Sequence, residues 1–346
     1  MKFQTGTSPH ARKRRKHLLL ATLTTCIAGA FLGGAIHTIW LAEGRVDQMR
    51  EHSTYDATSP TEVAKHLQAA GEFFDATTRN TGVSTYTVAR AESLLRDDLW
   101  KRLAQQAFVP AGSFIMGTDR PESDVQDRPR HMALTGAFFI DKFPVTNAQY
   151  AMFASETAHK APSHWKQGVI PKGFELSPVV LVTWQDAADY CTWAGKRLPT
   201  EAEWEKAARG TDGRRWPWGN RMDLEKLNTY NTRGTTTSVL AHMAGASPYG
   251  VVDMAGNIGE WTADDFKPYK GSHAPTSMFL VDQSGSAYGA AEHYKPLRGG
   301  SWKSDPFSTS TYHRSYALNG DASNFIGFRC ASSKTNQGIN THAQHK

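Results

Sequence analysis

Three stretches of the chain carry different patterns of apolar and polar positions. Residues 18–42 contain no acidic or basic side chain other than His37, and at ~1.5 Å per residue such a run crosses a bilayer core. Residues 43–106 are rich in charge and poor in aromatics. Within them 64–74 and 87–106 read as helical, with Leu94, Leu95, Leu99 and Leu103 at helical spacing on a face fit to pack on a domain or a partner. The polar segment 77–84, which contains a glycine, separates the two. From Phe108 the pattern tightens, and two apolar runs around Pro110-Ala111-Gly112 predict a hairpin over 108–117. Helices are predicted near 147–154, 184–194 and 201–208. Each opens with a hydroxyl followed three places on by a side-chain acceptor: Thr146 with Gln149, Thr183 with Asp186, Thr200 with Glu203. Gly195 and Gly210 stand where helix stops belong. Beyond Gly210 the chain is rich in Gly, Asn, Thr and Trp, and only short strands are expected.

Composition changes this picture in one respect. With 346 residues, 39% of them apolar and 11% aromatic, the chain can build a packed core. Its net charge of +6 could suggest nucleic acid. However, Lys2, Arg12, Lys13, Arg14, Arg15 and Lys16 stand directly before the apolar run, so the basicity reads as a topology signal and no nucleic-acid partner is expected. The positive-inside rule then predicts a basic cytoplasmic tail over 1–17, a single-pass signal anchor over 18–42 in the inner membrane, and a helical stalk over 43–106. A periplasmic or otherwise extracytoplasmic domain over 107–335 and a disordered tail over 336–346 complete the expectation. The rival is a cleaved signal peptide, for which Gly33-Gly34-Ala35 is a poor cleavage site. Cys26 lies in the apolar run, leaving Cys191 and Cys330 either to pair in an oxidising compartment or to stay as buried thiols.

The segment Asp253-Met254-Ala255-Gly256-Asn257-Ile258-Gly259-Glu260 holds two carboxylates seven positions apart among glycines that let carbonyls converge. That suits a hard cation with oxygen ligands, namely calcium; it also suits a tight turn in which Asp253 caps local donors. His131, His293 and His313 are candidate metal ligands, although histidines without fixed spacing more often serve as ordinary polar residues. Arg314 and Arg329 read as buried ion-pair residues.

Several blocks, in order, carry a family resemblance: Val109-Pro110-Ala111-Gly112-Ser113-Phe114 with Met116-Gly117, Phe143-Pro144-Val145-Thr146-Asn147, Gly195-Lys196-Arg197-Leu198-Pro199-Thr200-Glu201-Ala202-Glu203-Trp204, Trp216-Pro217-Trp218-Gly219-Asn220, Arg298-Gly299-Gly300-Ser301-Trp302 and Gly327-Phe328-Arg329-Cys330. In these the chain resembles the formylglycine-generating enzymes, or sulfatase-modifying factors. The resemblance implies an α+β fold, similar to a C-type lectin and low in regular secondary structure. It also implies a calcium site of the Asp253 and Glu260 side chains with the Gly256 and Ile258 carbonyls, a Cys191–Cys330 disulfide, and a substrate cleft at Ser301, Trp302 and Ser304. The family's second calcium site would fall near Asn228, where 228–239 holds no carboxylate; none is expected. Oxidase members carry two cysteines after the Gly-Gly-Ser-Trp block, which hold copper(I). Here Ser304 and a residue near Thr309 stand in that region, and a hydroxyl cannot replace a soft thiolate. Formylglycine formation is therefore not expected. The resemblance points instead to cysteine-less bacterial relatives associated with nitrite reductase, and hence to an accessory or maturation factor for a secreted redox enzyme acting on a protein or peptide client. The alternatives are an iron- or copper-dependent oxidase similar to pyoverdine-maturation relatives, or a ligand-binding lectin-like module.

Overall fold

The computed structural model describes residues 85–280 and 293–333. The chain divides into the units Met1–Glu51 and His52–Lys346, and every described residue belongs to the second. The expected cytoplasmic tail, membrane segment over 18–42, stalk up to residue 84 and tail over 336–346 lie outside the described residues. Among those described, no helix is long and apolar enough to cross a membrane.

The helix expected over 87–106 is two: α1 (Val88–Glu92) and α2 (Asp97–Leu103). Ser93 ends α1 by donating its hydroxyl to the Arg90 carbonyl, and Asp97 and Asp98 open α2 where negative charge suits the helix dipole. Neither helix stands apart from the domain. Tyr86 and Ala91 enter the main apolar core and Leu103 packs with Phe143, Val239 and Val252, so the domain takes in this segment from Tyr86 onward.

The expected hairpin over 108–117 does not form. β1 (Gln106–Val109) pairs with β4 (Phe138–Asp141), whereas β2 (Gly112–Met116) pairs with β3 (His131–Thr135), and the two pairs belong to different sheets. Between β1 and β2, Pro110 has no N–H to offer a ladder. The Pro110 and Gly112 carbonyls instead both accept from the Lys206 ammonium, at 2.7 and 2.9 Å. β9 (Ala331–Ser332) completes a sheet of order β1-β4-β9. A third sheet runs β7 (Arg314–Leu318), β6 (Tyr294–Arg298), β5 (Gly259–Trp261), β8 (Ile326–Gly327), with only β5 and β8 parallel in it.

The three long helices are α3 (Asn147–Thr157), α4 (Trp184–Trp193) and α5 (Glu201–Arg209). Each forms a complete capping box, including the one that depends on the shorter Asp186, whose carboxylate reaches the Thr183 N–H at 2.9 Å. Tyr150, Phe153 and Trp165 from the α3 region, Tyr190 from α4 and Phe328 interlock as an aromatic core. Inside that core Cys191 and Cys330 are joined, with Cα atoms 5.6 Å apart across 139 positions of chain.

Candidate functional site

The loop that follows β6 begins with Gly299 and Gly300 at φ +92° and +66°. A side chain at 300 would put its Cβ 2.7 Å from the Ser308 carbonyl oxygen, so glycine permits the loop to fold back on itself. This fold brings hydroxyls together. The Ser301 N–H donates to Ser304 Oγ at 2.9 Å, and the Ser301 and Ser304 hydroxyls lie 3.3 Å apart. Asp305 caps the short turn Pro306–Thr309 by accepting from the Phe307 and Ser308 N–H groups. Thr309, fully buried, donates to the Pro306 carbonyl at 2.6 Å and accepts from the Trp216 indole at 3.2 Å.

Of the three residues expected to line a cleft, two are interior. Ser301 and Trp302 are each only 3% exposed, and the Trp302 indole donates to the Asn324 carbonyl. The accessible surface here belongs to half-buried Ser304, to Lys303, and to Tyr230, which is 61% exposed. Tyr230 and Asn231 both adopt left-handed backbone, at φ +57° and +56°. They are held there because their N–H groups donate to the Ser304 and Trp302 carbonyls at 2.9 and 2.8 Å. The Lys303 ammonium lies 4.9 Å from the Trp302 ring centre and 5.1 Å from that of Phe325, and burial lowers its pKa. Sequence reasoning passed over Tyr230, since nothing local distinguishes an aromatic in a polar loop.

Beneath this loop lies a set of buried ion pairs. Arg314 grips Glu201 with Nε and Nη2 at 2.7 and 2.9 Å, and Arg298 reaches Glu205, which also accepts from Arg209 at 2.7 Å. Arg329 meets both oxygens of Glu260 at 2.6 Å. The arginines thus sit where their reading as buried ion-pair residues placed them.

That last pair decides the calcium set. Besides Arg329, Glu260 accepts from the Trp204 indole at 2.8 Å, and the Gly256 carbonyl already accepts from the Ile258 N–H. A carboxylate neutralised by a guanidinium has no charge left to offer a cation. Asp253, Gly256, Ile258 and Glu260 therefore do not fit as a four-ligand calcium cage. Asp253 is buried beside the same pair, its carbonyl accepting from Arg329 Nη2 at 3.4 Å: its Oδ2 accepts from the Asn257 side-chain amide at 3.0 Å, while its Oδ1 is buried without a hydrogen bond. Burial pushes its pKa up to about 7, against the pull of the Asn257 hydrogen bond and Arg329.

The three histidines have unrelated surroundings. His131 Nδ1 lies 2.9 Å from the Pro129 carbonyl and its ring packs edge-on against Tyr269; His293 is exposed. Only His313 faces acidic groups, with Nδ1 3.3 Å from Asp127 Oδ2 and 3.7 Å from Asp124 Oδ2. A histidine-only iron site is not assembled. Asp127, the partner that matters, went unnoticed in the sequence because 186 positions separate it from His313.

A model of the Sulfatase-modifying factor enzyme 1-like domain matches residues 92–334. The chain belongs to this family. Among similar members, it is 33% identical over 271 residues to the serine/threonine-protein kinase pkn1 of Chlamydia caviae, a match that covers 72% of this chain and 41% of the kinase. The chain thus spans about two fifths of that relative's length. It is 32% identical over 286 residues to the inactive C-alpha-formylglycine-generating enzyme 2 of Mus musculus, covering 65% of this chain and 84% of that protein. Among solved structures, PvdO from Pseudomonas aeruginosa superposes with a TM-score of 0.53 at 27% identity, over 65% of this chain and 93% of PvdO.

Proposed function

We propose that this sulfatase-modifying-factor relative binds a polypeptide client without oxidising it, as an accessory or maturation factor held at the outer face of a membrane by its N-terminal segment. The observation that carries the reading is the pair of hydroxyls, Ser304 and Thr309, in the stretch where oxidase members of the family carry cysteines. Both are engaged in hydrogen bonds, Ser304 with the Ser301 N–H and Thr309 with Pro306 and Trp216. An alcohol stays protonated near neutral pH, offers copper(I) no soft ligand and forms no mixed disulfide. Likeness to a mouse protein described as inactive supports the same reading. What the loop retains is recognition surface: the exposed Tyr230 ring, the Lys303 ammonium and the accessible Ser304 hydroxyl on a rigidly hydrogen-bonded loop.

The test is to incubate the protein with copper, oxygen and a sulfatase-type cysteine peptide. The peptide should be recovered unmodified. A hydrazide-reactive product above a no-protein control would contradict the proposal.

A further inference from the structure

His313 is fixed from both sides of its backbone. Its N–H donates to the Ser310 carbonyl at 3.0 Å, and its carbonyl accepts from Arg298 at 2.8 Å. The residue that follows orients the opposing carboxylate: the Arg314 N–H donates to Asp127 Oδ1 at 2.8 Å, which turns Oδ2 toward the imidazole. Asp124, two residues before Gln126 on the same short segment, brings its Oδ2 to the same ring nitrogen. One imidazole nitrogen and two carboxylate oxygens all lie within 4.8 Å of one another.

The separations tell more than the proximity. A charge-assisted N–H···O bond is ordinarily about 2.7–2.9 Å long, and this molecule shows one where His159 Nε2 meets Asp186 at 2.8 Å. His313 keeps 3.3 Å from one carboxylate and 3.7 Å from the other. Ligands held at ~2.0–2.1 Å around one tetrahedral metal ion stand roughly 3.3 Å from each other. The His313–Asp127 separation thus equals the edge of a coordination shell, Asp124 stands 0.4 Å farther out, at 3.7 against 3.3 Å, and both oxygens converge on a single nitrogen. Two carboxylates and a neutral imidazole also balance the charge of a dication, while Arg209, Arg298 and Arg314 beside them share Glu201 and Glu205.

We propose that Asp124, Asp127 and His313 form a three-ligand site for a divalent transition-metal ion of the zinc type, with its remaining positions open to solvent. Mixed nitrogen and oxygen donors favour such ions over calcium or magnesium, which take oxygen alone, and over copper(I), which takes sulfur. Three protein ligands with a free position are the pattern of sites where the metal works on a bound molecule. Asp124, with its side chain 44% exposed, provides the entry, and its Oδ2 also accepts from the Gln126 side-chain amide at 3.5 Å. The Arg314 N–H on Asp127 and the clamps on the His313 backbone hold the other two ligands in place. The site ends the same loop, 304–313, that carries Ser304 and Thr309, and it goes beyond the accessory reading, which requires no metal.

Cobalt(II) is the probe, because its visible absorption reports the ligand field directly. Added to the full chain, it should give one equivalent of absorption that depends on Asp124, Asp127 and His313. Asp124→Asn and His313→Gln should each weaken that component by more than the roughly 10- to 100-fold that loss of a second-shell partner costs. Asp124→Asn alters an exposed side chain, so loss of the signal in that variant with an unchanged thermal melt separates ligation from folding. If the wild-type chain gives no such absorption, or if both variants keep it in full, the triad is an ion pair of protonated His313 and the site is refuted.

Discussion

The part of the domain around α3 and α4 and the part that follows Gly210 are built by different physics. The first is organised by local signals and apolar packing: capping boxes start the helices, and Tyr150, Phe153, Trp165, Tyr190 and Phe328 interlock around the Cys191–Cys330 bond. The second has short strands and long loops, and the groups that hold it are polar and distant in sequence. Arg298, Arg314 and Arg329 are each fully or almost fully buried against Glu205, Glu201 and Glu260. A loop-rich region that cannot satisfy its backbone through ladders does so through guanidinium groups. Arg329 alone donates to the Asp141, Lys142, Val252 and Asp253 carbonyls. Charge here performs the work that regular secondary structure performs elsewhere.

The largest expected effect lies in the first region. Replacing Cys191 and Cys330 together by alanine should lower the unfolding free energy by about 4 to 5 kcal/mol, the loop-closure entropy of a ring this long, as read from guanidinium denaturation. In the second region Arg329→Met should cost about 3–5 kcal/mol by leaving Glu260 as an uncompensated buried charge. Glu260→Met combined with Arg329→Met should cost less than Arg329→Met alone, since both charges are then gone. Because Glu260 belongs to an ion pair, these losses should be the same in calcium and in chelator. A loss confined to calcium-containing buffer would restore Glu260 as a cation ligand.

The two regions should also respond to pH with opposite sign. Asp186 in the α4 capping box has its pKa lowered: burial opposes ionisation, but hydrogen bonds from His159 and Thr183, with Lys160 nearby, outweigh it. Its contribution is present above the unfolded carboxylate value near 4 and is lost as pH falls through the lower folded value. Asp253, buried and raised to about 7, retains its proton in the folded state where the unfolded chain has released it. Its contribution is therefore lost as pH rises from about 4 to about 7. Denaturation midpoints measured across pH 3–8 should show Asp253→Asn flattening the upper window only and Asp186→Asn the acid limb only. The smallest effect belongs to a single cap: Thr200→Ala should cost about 1 kcal/mol, as a lowered midpoint with an unchanged denaturant slope.

What the sequence made legible divides along the same line. The capping boxes were readable because a hydroxyl and its acceptor three residues on are a local device, and the glycine at 195 ends α4 for a local reason. The motif blocks located the family domain. The pairing of β1 with β4 was not readable, because the Pro110–Gly112 turn looks like a hairpin until Lys206, 96 positions from Pro110, takes up its carbonyl. The spacing of Asp253 and Glu260 suggested a cation cage, and only the fold could place Arg329 against the second of them. His313 was visible as a candidate, but its partners Asp124 and Asp127 were not.

The most direct test of the central claim, a sulfatase-modifying-factor scaffold without its oxidising group, is copper(I) competition against a coloured chelator, with Cys26→Ser as the background. The account predicts that this protein leaves the chelator complex intact, whereas adding Ser304→Cys and Thr309→Cys to it withdraws copper. Withdrawal of an equivalent of copper(I) by the chain with Ser304 and Thr309 in place would contradict it.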